Sequence, residues 1–81
     1  MINMTLEYLR KEDHLGLVFS RGNKLLQLAM KVKVIGTIGK EGLGMIRTIN
    51  FHDGTQFVDI VWLEPMGYEL KPGQKVKFTK E

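Results

Sequence analysis

Cysteine is absent from this 81-residue sequence, so neither disulfide bonds nor a thiolate zinc site can stabilise the fold. The absence is compatible with a reducing compartment, and we expect a cytoplasmic protein. Long apolar runs are also missing. Residues 1–13 lack the apolar segment of a signal peptide, and Gln27, Lys31 and Lys33 interrupt the stretch 25–38. The sequence therefore predicts neither a secretion signal nor a membrane span.

Side chains that commonly carry out catalysis are scarce. The chain has one serine, Ser20, and two histidines, His14 and His52, which fall in separate predicted turns. No nucleophile has a base and an orienting acid beside it, and no ligand spacing defines a metal site. We therefore expect no enzymatic activity, no metal and no cofactor.

Apolar and polar residues alternate over much of the chain, which is typical of β-strands with one buried and one exposed face. The alternation covers residues 15–20 and 25–38. Gly22-Asn23, which lies between them, can take the positive φ of a tight turn. We therefore predict that these two segments form a hairpin.

Three further strands are predicted at residues 43–51, 56–63 and 75–78. Asp53-Gly54 joins the first two as a hairpin turn. Pro72-Gly73 suits the two central positions of a type II turn, because proline presets φ and glycine accepts a positive φ.

Residues 1–13 are predicted to be an N-terminal extension, with a short helix at 5–11 or, alternatively, an edge strand. Five or six short strands in one chain predict a single domain at 1–81, an all-β small barrel. The main expectation is an OB-like barrel with an extra N-terminal hairpin strand. The alternative is an SH3-like barrel of the Tudor or KOW type.

Residues 39–46, GKEGLGMI, are rich in glycine but do not match a phosphate-binding loop. No lysine-hydroxyl pair follows the glycines, and the predicted next element is a strand and not a helix. We expect Gly42 to serve a turn. Gly44 is expected inside a strand, at a point where another backbone or a ligand comes close.

The order of several short motifs resembles the cold-shock domain, a five-stranded OB-fold that binds single-stranded RNA and DNA. The similar region spans about residues 30–78, and its segments are Gly36-Thr37-Ile38, Gly42-Leu43-Gly44-Met45-Ile46, Phe57-Val58-Asp59-Ile60, Gly67-Tyr68 and Leu70-Lys71-Pro72-Gly73-Gln74-Lys75-Val76-Lys77-Phe78. The resemblance implies an OB barrel. The chain differs from the family in having no C-terminal segment for the fifth strand, and we expect the extra strand at 15–20 to fill that edge. It also implies that Phe57 and Tyr68 stack on bases, whereas Leu43 and Met45 stand where the family has two stacking phenylalanines.

The leading functional hypothesis is a non-enzymatic module that binds single-stranded nucleic acid. Twelve basic and nine acidic side chains give a net charge of +3, which permits such a partner. Lysines alternate in segments 31–33 and 75–77, so a basic stripe crosses the sheet if the two strands are neighbours. The residues predicted to bind nucleic acid are Lys31, Lys33, Lys40, Arg47, Phe57, Tyr68, Lys75 and Lys77.

The alternative hypothesis is a protein-interaction module or a homodimer that does not bind nucleic acid. Its predicted contact residues are Leu43, Met45, Ile60 and Trp62. Exposure of Leu43 and Met45 among acids such as Glu41 and Asp59 would favour this alternative. Lysines around the rings of Phe57 and Tyr68 would favour nucleic acid.

Overall fold

The computed structural model describes residues 3–11, 14–19 and 26–81, which form six antiparallel strands closed into a barrel. The strands are β1 (Asn3–Lys11), β2 (His14–Phe19), β3 (Lys31–Ile35), β4 (Glu41–His52), β5 (Thr55–Glu64) and β6 (Lys75–Lys80). Their order around the barrel is β1-β2-β5-β4-β3-β6, and pairing of β6 with β1 closes it. The predicted all-β small barrel is confirmed, and its closed form is consistent with an OB-like barrel.

The N-terminal segment is an internal strand of the barrel. Buried Leu6 and Tyr8 alternate with exposed Thr5 and Glu7, which is the side-chain period of a strand. β1 pairs with β2 on one side and with β6 on the other. The predicted helix at 5–11 is therefore wrong. The alternative prediction of a strand is correct, but the strand lies between two neighbours and not at an edge.

The predicted hairpin between residues 15–20 and 25–38 is also wrong. β2 pairs with β1 and β5, whereas β3 pairs with β4 and β6. β3 is shorter than the strand predicted at 25–38. Ala29, with a φ of 65°, interrupts the extended chain just before it. Residues 20–25, which include Ser20 and the predicted Gly22-Asn23 turn, lie outside the described residues. β2 pairs with β5 through Leu17, Val18 and Phe19.

Both turns predicted from glycine chemistry are confirmed. Asp53 and Gly54 have φ values of 51° and 75°, as a two-residue type I′ hairpin turn between β4 and β5 requires. Gly73 has a φ of 88°, and the Gln74 N–H donates to the Lys71 carbonyl at 3.1 Å. This geometry is that of a type II turn with proline and glycine at its centre.

The core fills the barrel with alternate residues of its strands. Val32 and Val34 of β3 and Val76 and Phe78 of β6 are at most 1% exposed. Because successive side chains of a strand point to opposite faces, the odd-numbered residues of β3 and β6 point out of the barrel. The largest fully buried side chains are Phe19, Phe78, Ile46, Val32, Val34, Val58 and Val76.

Candidate nucleic-acid interface

The outward face of β3 and β6 carries four lysines, Lys31, Lys33, Lys75 and Lys77, which we call the lysine stripe. The two strands are hydrogen-bonded neighbours, with Lys33 opposite Thr79 and Lys77 opposite Ile35. Lys33 and Lys77 are therefore diagonal neighbours, about 7–8 Å apart at the backbone. The condition on which the predicted basic stripe depends, adjacency of the two strands, is met.

Three acidic residues lie at the margins of the lysine stripe. Glu7 of β1 is opposite Lys75, and Glu41 of β4 is opposite Ile35. The Glu81 N–H donates to the Lys31 carbonyl at 3.0 Å. Among the described residues, no carboxylate forms an ion pair with any of the four lysines. Their ammonium groups are thus available to an external anion.

The other two predicted cations lie beyond the ends of β3. Lys40 is exposed in the turn between β3 and β4, where its carbonyl accepts a hydrogen bond of 2.8 Å from the Gly36 N–H. Arg47 is an extra residue in β4, in a bulge between Ile46 and Thr48. Its guanidinium Nη2 lies 3.8 Å from Asp59 Oδ2, so its charge is partly compensated.

The same bulge includes a contact that no local sequence pattern indicates. The Thr48 hydroxyl donates to Asp59 Oδ2 at 3.0 Å, and the Asp59 side chain is only 13% exposed. An extra residue in one strand bends that strand and redirects its side chains. A hydroxyl and a carboxylate eleven positions apart give no local signal of such a bulge.

Phe57 points outward from β5 but lies away from the lysine stripe. It is half-buried, opposite Asn50 of β4, and its ring is 6.5 Å from the ring of His52 in an edge-to-face arrangement. Asn50 is five residues beyond Met45, the residue of β4 that faces Lys31. That separation is about 17 Å along the strand, so Phe57 and the lysines do not contact the same nucleotide.

Tyr68 does not present the exposed ring that stacking on bases would require. The side chain is half-buried, and its hydroxyl is enclosed without a hydrogen-bond partner among the described residues. The hydroxyl lies against Gly36, where any Cβ would overlap it. The missing side chain at Gly36 makes room for Tyr68, and this is a long-range relation that the local sequence does not reveal.

The four residues of the alternative protein-contact set do not form one surface. Leu43 and Met45 point outward and are half-buried, opposite Lys33 and Lys31. Ile60 packs against the core, and Trp62 lines a cavity at one end of the barrel. Leu43 and Met45 thus lie beside lysines, and Leu43 is also opposite Glu64 of β5 and two residues from Glu41 on the same face of β4. Among the described residues, no lysine is a strand partner of Phe57 or lines the same cavity as Tyr68.

The glycines of GKEGLGMI have a packing role. Gly42 is buried within β4, opposite Val34, so the prediction that it serves a turn is wrong, and Gly39, with a φ of 80°, lies in the turn. A Cβ at Gly42 would lie 2.8 Å from the Glu64 carbonyl oxygen, whereas one at Gly44 would overlap Ile60. A close approach at Gly44 is present, but the Ile60 side chain makes it and not the backbone or ligand that was expected.

Within 3–11, 14–19 and 26–81, no cluster of three or more potential metal ligands is present. Over the same ranges no helix is long and apolar enough to cross a membrane. No protein-family model, curated protein or solved structure matches this chain.

Proposed function

We propose that this chain is a non-enzymatic module that binds single-stranded nucleic acid along the outward face of β3 and β6. The observation that carries the proposal is the pairing of β3 with β6, which gathers four lysines on one face. Phosphate contacts dominate the affinity of proteins for nucleic acid. A face with several unpaired ammonium groups supports that kind of contact.

The spacing of the lysine stripe suits a flexible single strand of nucleic acid. Lys31 and Lys33 are about 7 Å apart along β3, so successive phosphates of one strand can follow the row. Leu43 and Met45 lie directly across from these lysines and offer apolar surface to bases that are not already stacked in a duplex. Phe57 can stack on a base only if the bound nucleic acid continues over β4 onto β5.

The number of lysines sets the expected salt dependence. Four phosphate contacts give a slope of about −2.8 for the logarithm of the binding constant against the logarithm of the salt concentration, at about −0.7 per contact for single strands. Raising salt from about 50 to 200 mM then weakens binding about fifty-fold.

Fluorescence anisotropy of labelled oligouridylate, oligothymidylate and a duplex, each titrated at several salt concentrations, tests the proposal. The expected result is binding at low salt, tighter for the single strands, with the slope given above. The double variant Lys33→Ala/Lys77→Ala should reduce the magnitude of that slope by about 1.4, because two contacts are lost.

Lys80→Ala is the matched control for the single variant Lys77→Ala, which should reduce the magnitude of the slope by about 0.7, since each removes one positive charge from β6. Lys80 is exposed, but it is opposite the inward-pointing Val32 and so lies on the other side of β6 from Lys77. Its slope should equal that of the unmodified chain. Absence of binding to all three probes at low salt would contradict the proposal, as would an equal loss of slope in Lys80→Ala.

A second candidate function, self-association, is favoured by a separate observation. Val61 is opposite Met45 on the outward face, and the adjacent bulge residue Leu63 is 44% exposed. Sedimentation equilibrium tests this candidate. Dimerisation that is lost in Met45→Glu would support it, and a monomer at all concentrations would reject it.

A further inference from the structure

One end of the barrel contains a cavity of about 230 Å³ that is open to solvent on one side and is lined by β1, β2, β5 and the loop at residues 65–70. Its floor is formed by core residues of three strands, among them Tyr8, Leu17 and Val58, which are at most 8% exposed. The cavity is separate from the lysine stripe, which lies on the outward face of β3 and β6.

The walls of the cavity are aromatic and sulfur-containing. Trp62 lies at the mouth and is 38% exposed, whereas Met66 is 5% exposed, and the side chain of Tyr68 also lines the space. Rings of tryptophan and tyrosine favour edge-to-face or offset contacts with another ring. A methionine sulfur also packs favourably against aromatic edges.

The loop that closes the cavity is fixed by packing. Met66 and Leu70 are buried, and a Cβ at Gly42 would lie 2.8 Å from Met66 Cγ and 3.0 Å from its backbone nitrogen. Tyr68 lies against Gly36 in the same way. Because three side chains anchor six residues of loop, the cavity exists before any ligand enters, and binding has little ordering to overcome.

We propose that this cavity binds a small uncharged aromatic molecule of one or two fused rings. An apolar cavity of about 150 Å³ is sufficient for benzene, so 230 Å³ leaves room for a second ring. Glu69 at the mouth disfavours anionic ligands, and no lysine or arginine lines the cavity among the described residues. The proposal is independent of nucleic-acid binding, because it uses different residues.

Titration of the ¹⁵N-labelled protein with indole, followed by amide chemical shifts, tests the proposal. The expected result is saturable binding with a dissociation constant of about 0.1–1 mM, as for very small ligands. The largest shifts should fall on the amides of Val58, Met66 and Leu70. Trp62→Ala should weaken binding at least about tenfold, since it removes the ring at the mouth.

Two further variants separate the loss of the ring from a general effect of substitution. Trp62→Phe retains an aromatic ring and should bind within about threefold of the unmodified protein. Leu63→Ala changes the neighbouring exposed residue, which does not line the cavity, and should bind unchanged. A dispersed amide spectrum for each variant shows that the barrel is folded before its affinity is compared.

The proposal is overturned if shifts increase linearly without saturation, or are scattered over the barrel surface. It is also overturned if Trp62→Ala and Leu63→Ala bind indole equally.

A tryptophan-containing peptide provides the last arm of the experiment. If the peptide binds in the cavity and free indole does not, the site receives a partner's side chain, and the proposal of a small-molecule ligand is wrong.

Discussion

Substitution of Gly42 by alanine tests the packing that closes the end of the barrel. The added Cβ would lie 2.8 Å from the Glu64 carbonyl oxygen and 3.0 Å from the Met66 nitrogen. Both atoms belong to the backbone, which cannot move aside as a flexible side chain would. Gly16→Ala is the control, because Gly16 is also a buried strand glycine but its nearest neighbours lie at the ordinary distances of 3.6 and 3.8 Å.

The difference between the two variants can be estimated from these distances. Overpacking of this kind costs about 1–3 kcal/mol, and alanine recovers about 0.4–1 kcal/mol by restricting the unfolded chain. Gly42→Ala should therefore be less stable by about 1–2 kcal/mol. Gly16→Ala restricts the unfolded chain in the same way but creates no clash. Its free energy of unfolding should therefore be unchanged or higher by up to about 1 kcal/mol.

Thermal unfolding followed by circular dichroism measures both effects. For a domain of this size, 1 kcal/mol corresponds to about 4–8 °C in Tm. Gly42→Ala should thus lower Tm by about 5–15 °C, whereas Gly16→Ala should leave it equal or raise it. Equal Tm values for the two variants would refute the claim that close backbone contact, and not strand propensity, requires glycine at position 42.

Three other substitutions have defined expectations. Phe78→Ala should reduce the free energy of unfolding by about 3–5 kcal/mol in urea denaturation, because Phe78 is 1% exposed. Gly73→Ala should cost about 1–2 kcal/mol in the same assay through its φ of 88° alone, since no atom lies within 4 Å of the added Cβ. Asp59→Ala removes the acceptor and should cost about 1–3 kcal/mol, and a double-mutant cycle with Thr48→Val should show coupling. Additive effects at Thr48 and Asp59 would contradict the assigned bond.

Elements whose signals are local could be predicted from the sequence. The turns at Asp53-Gly54 and Pro72-Gly73 follow from the φ preferences of those residues, and both have the predicted positive φ values. β4, β5 and β6 lie within a few residues of their predicted bounds. Each of these features depends on fewer than a dozen consecutive residues.

The pairing of β2 could not be predicted in this way. An alternating segment fits any neighbour whose inward face is apolar, so period two identifies the strand but not its partner. The positive φ of Ala29 was also unpredictable, because alanine rarely adopts that conformation. The wrong hairpin resulted from both, since a continuous strand over 25–38 made segment 15–20 the natural partner.

The candidate site shows the same division between local and long-range information. Alternation correctly assigned Lys31 and Lys33 to one face of a strand, and Lys75 and Lys77 to one face of another. The base stacking that the resemblance implies for Tyr68 requires an exposed ring. Its position depends instead on Gly36, more than thirty residues away.

The glycine positions connect the fold to both proposed sites. Gly42 and Gly44 point into the barrel, so the alternation of β4 turns Leu43 and Met45 outward beside the lysines of β3. The same missing side chains admit Met66 and Ile60 at the end of the barrel, where the cavity lies. A side chain at Gly42 should therefore disturb the loop over the cavity and leave the lysine stripe intact. If Gly42→Ala weakens indole binding while the salt slope for oligouridylate is unchanged, the two sites are independent; parallel losses would show that they are one.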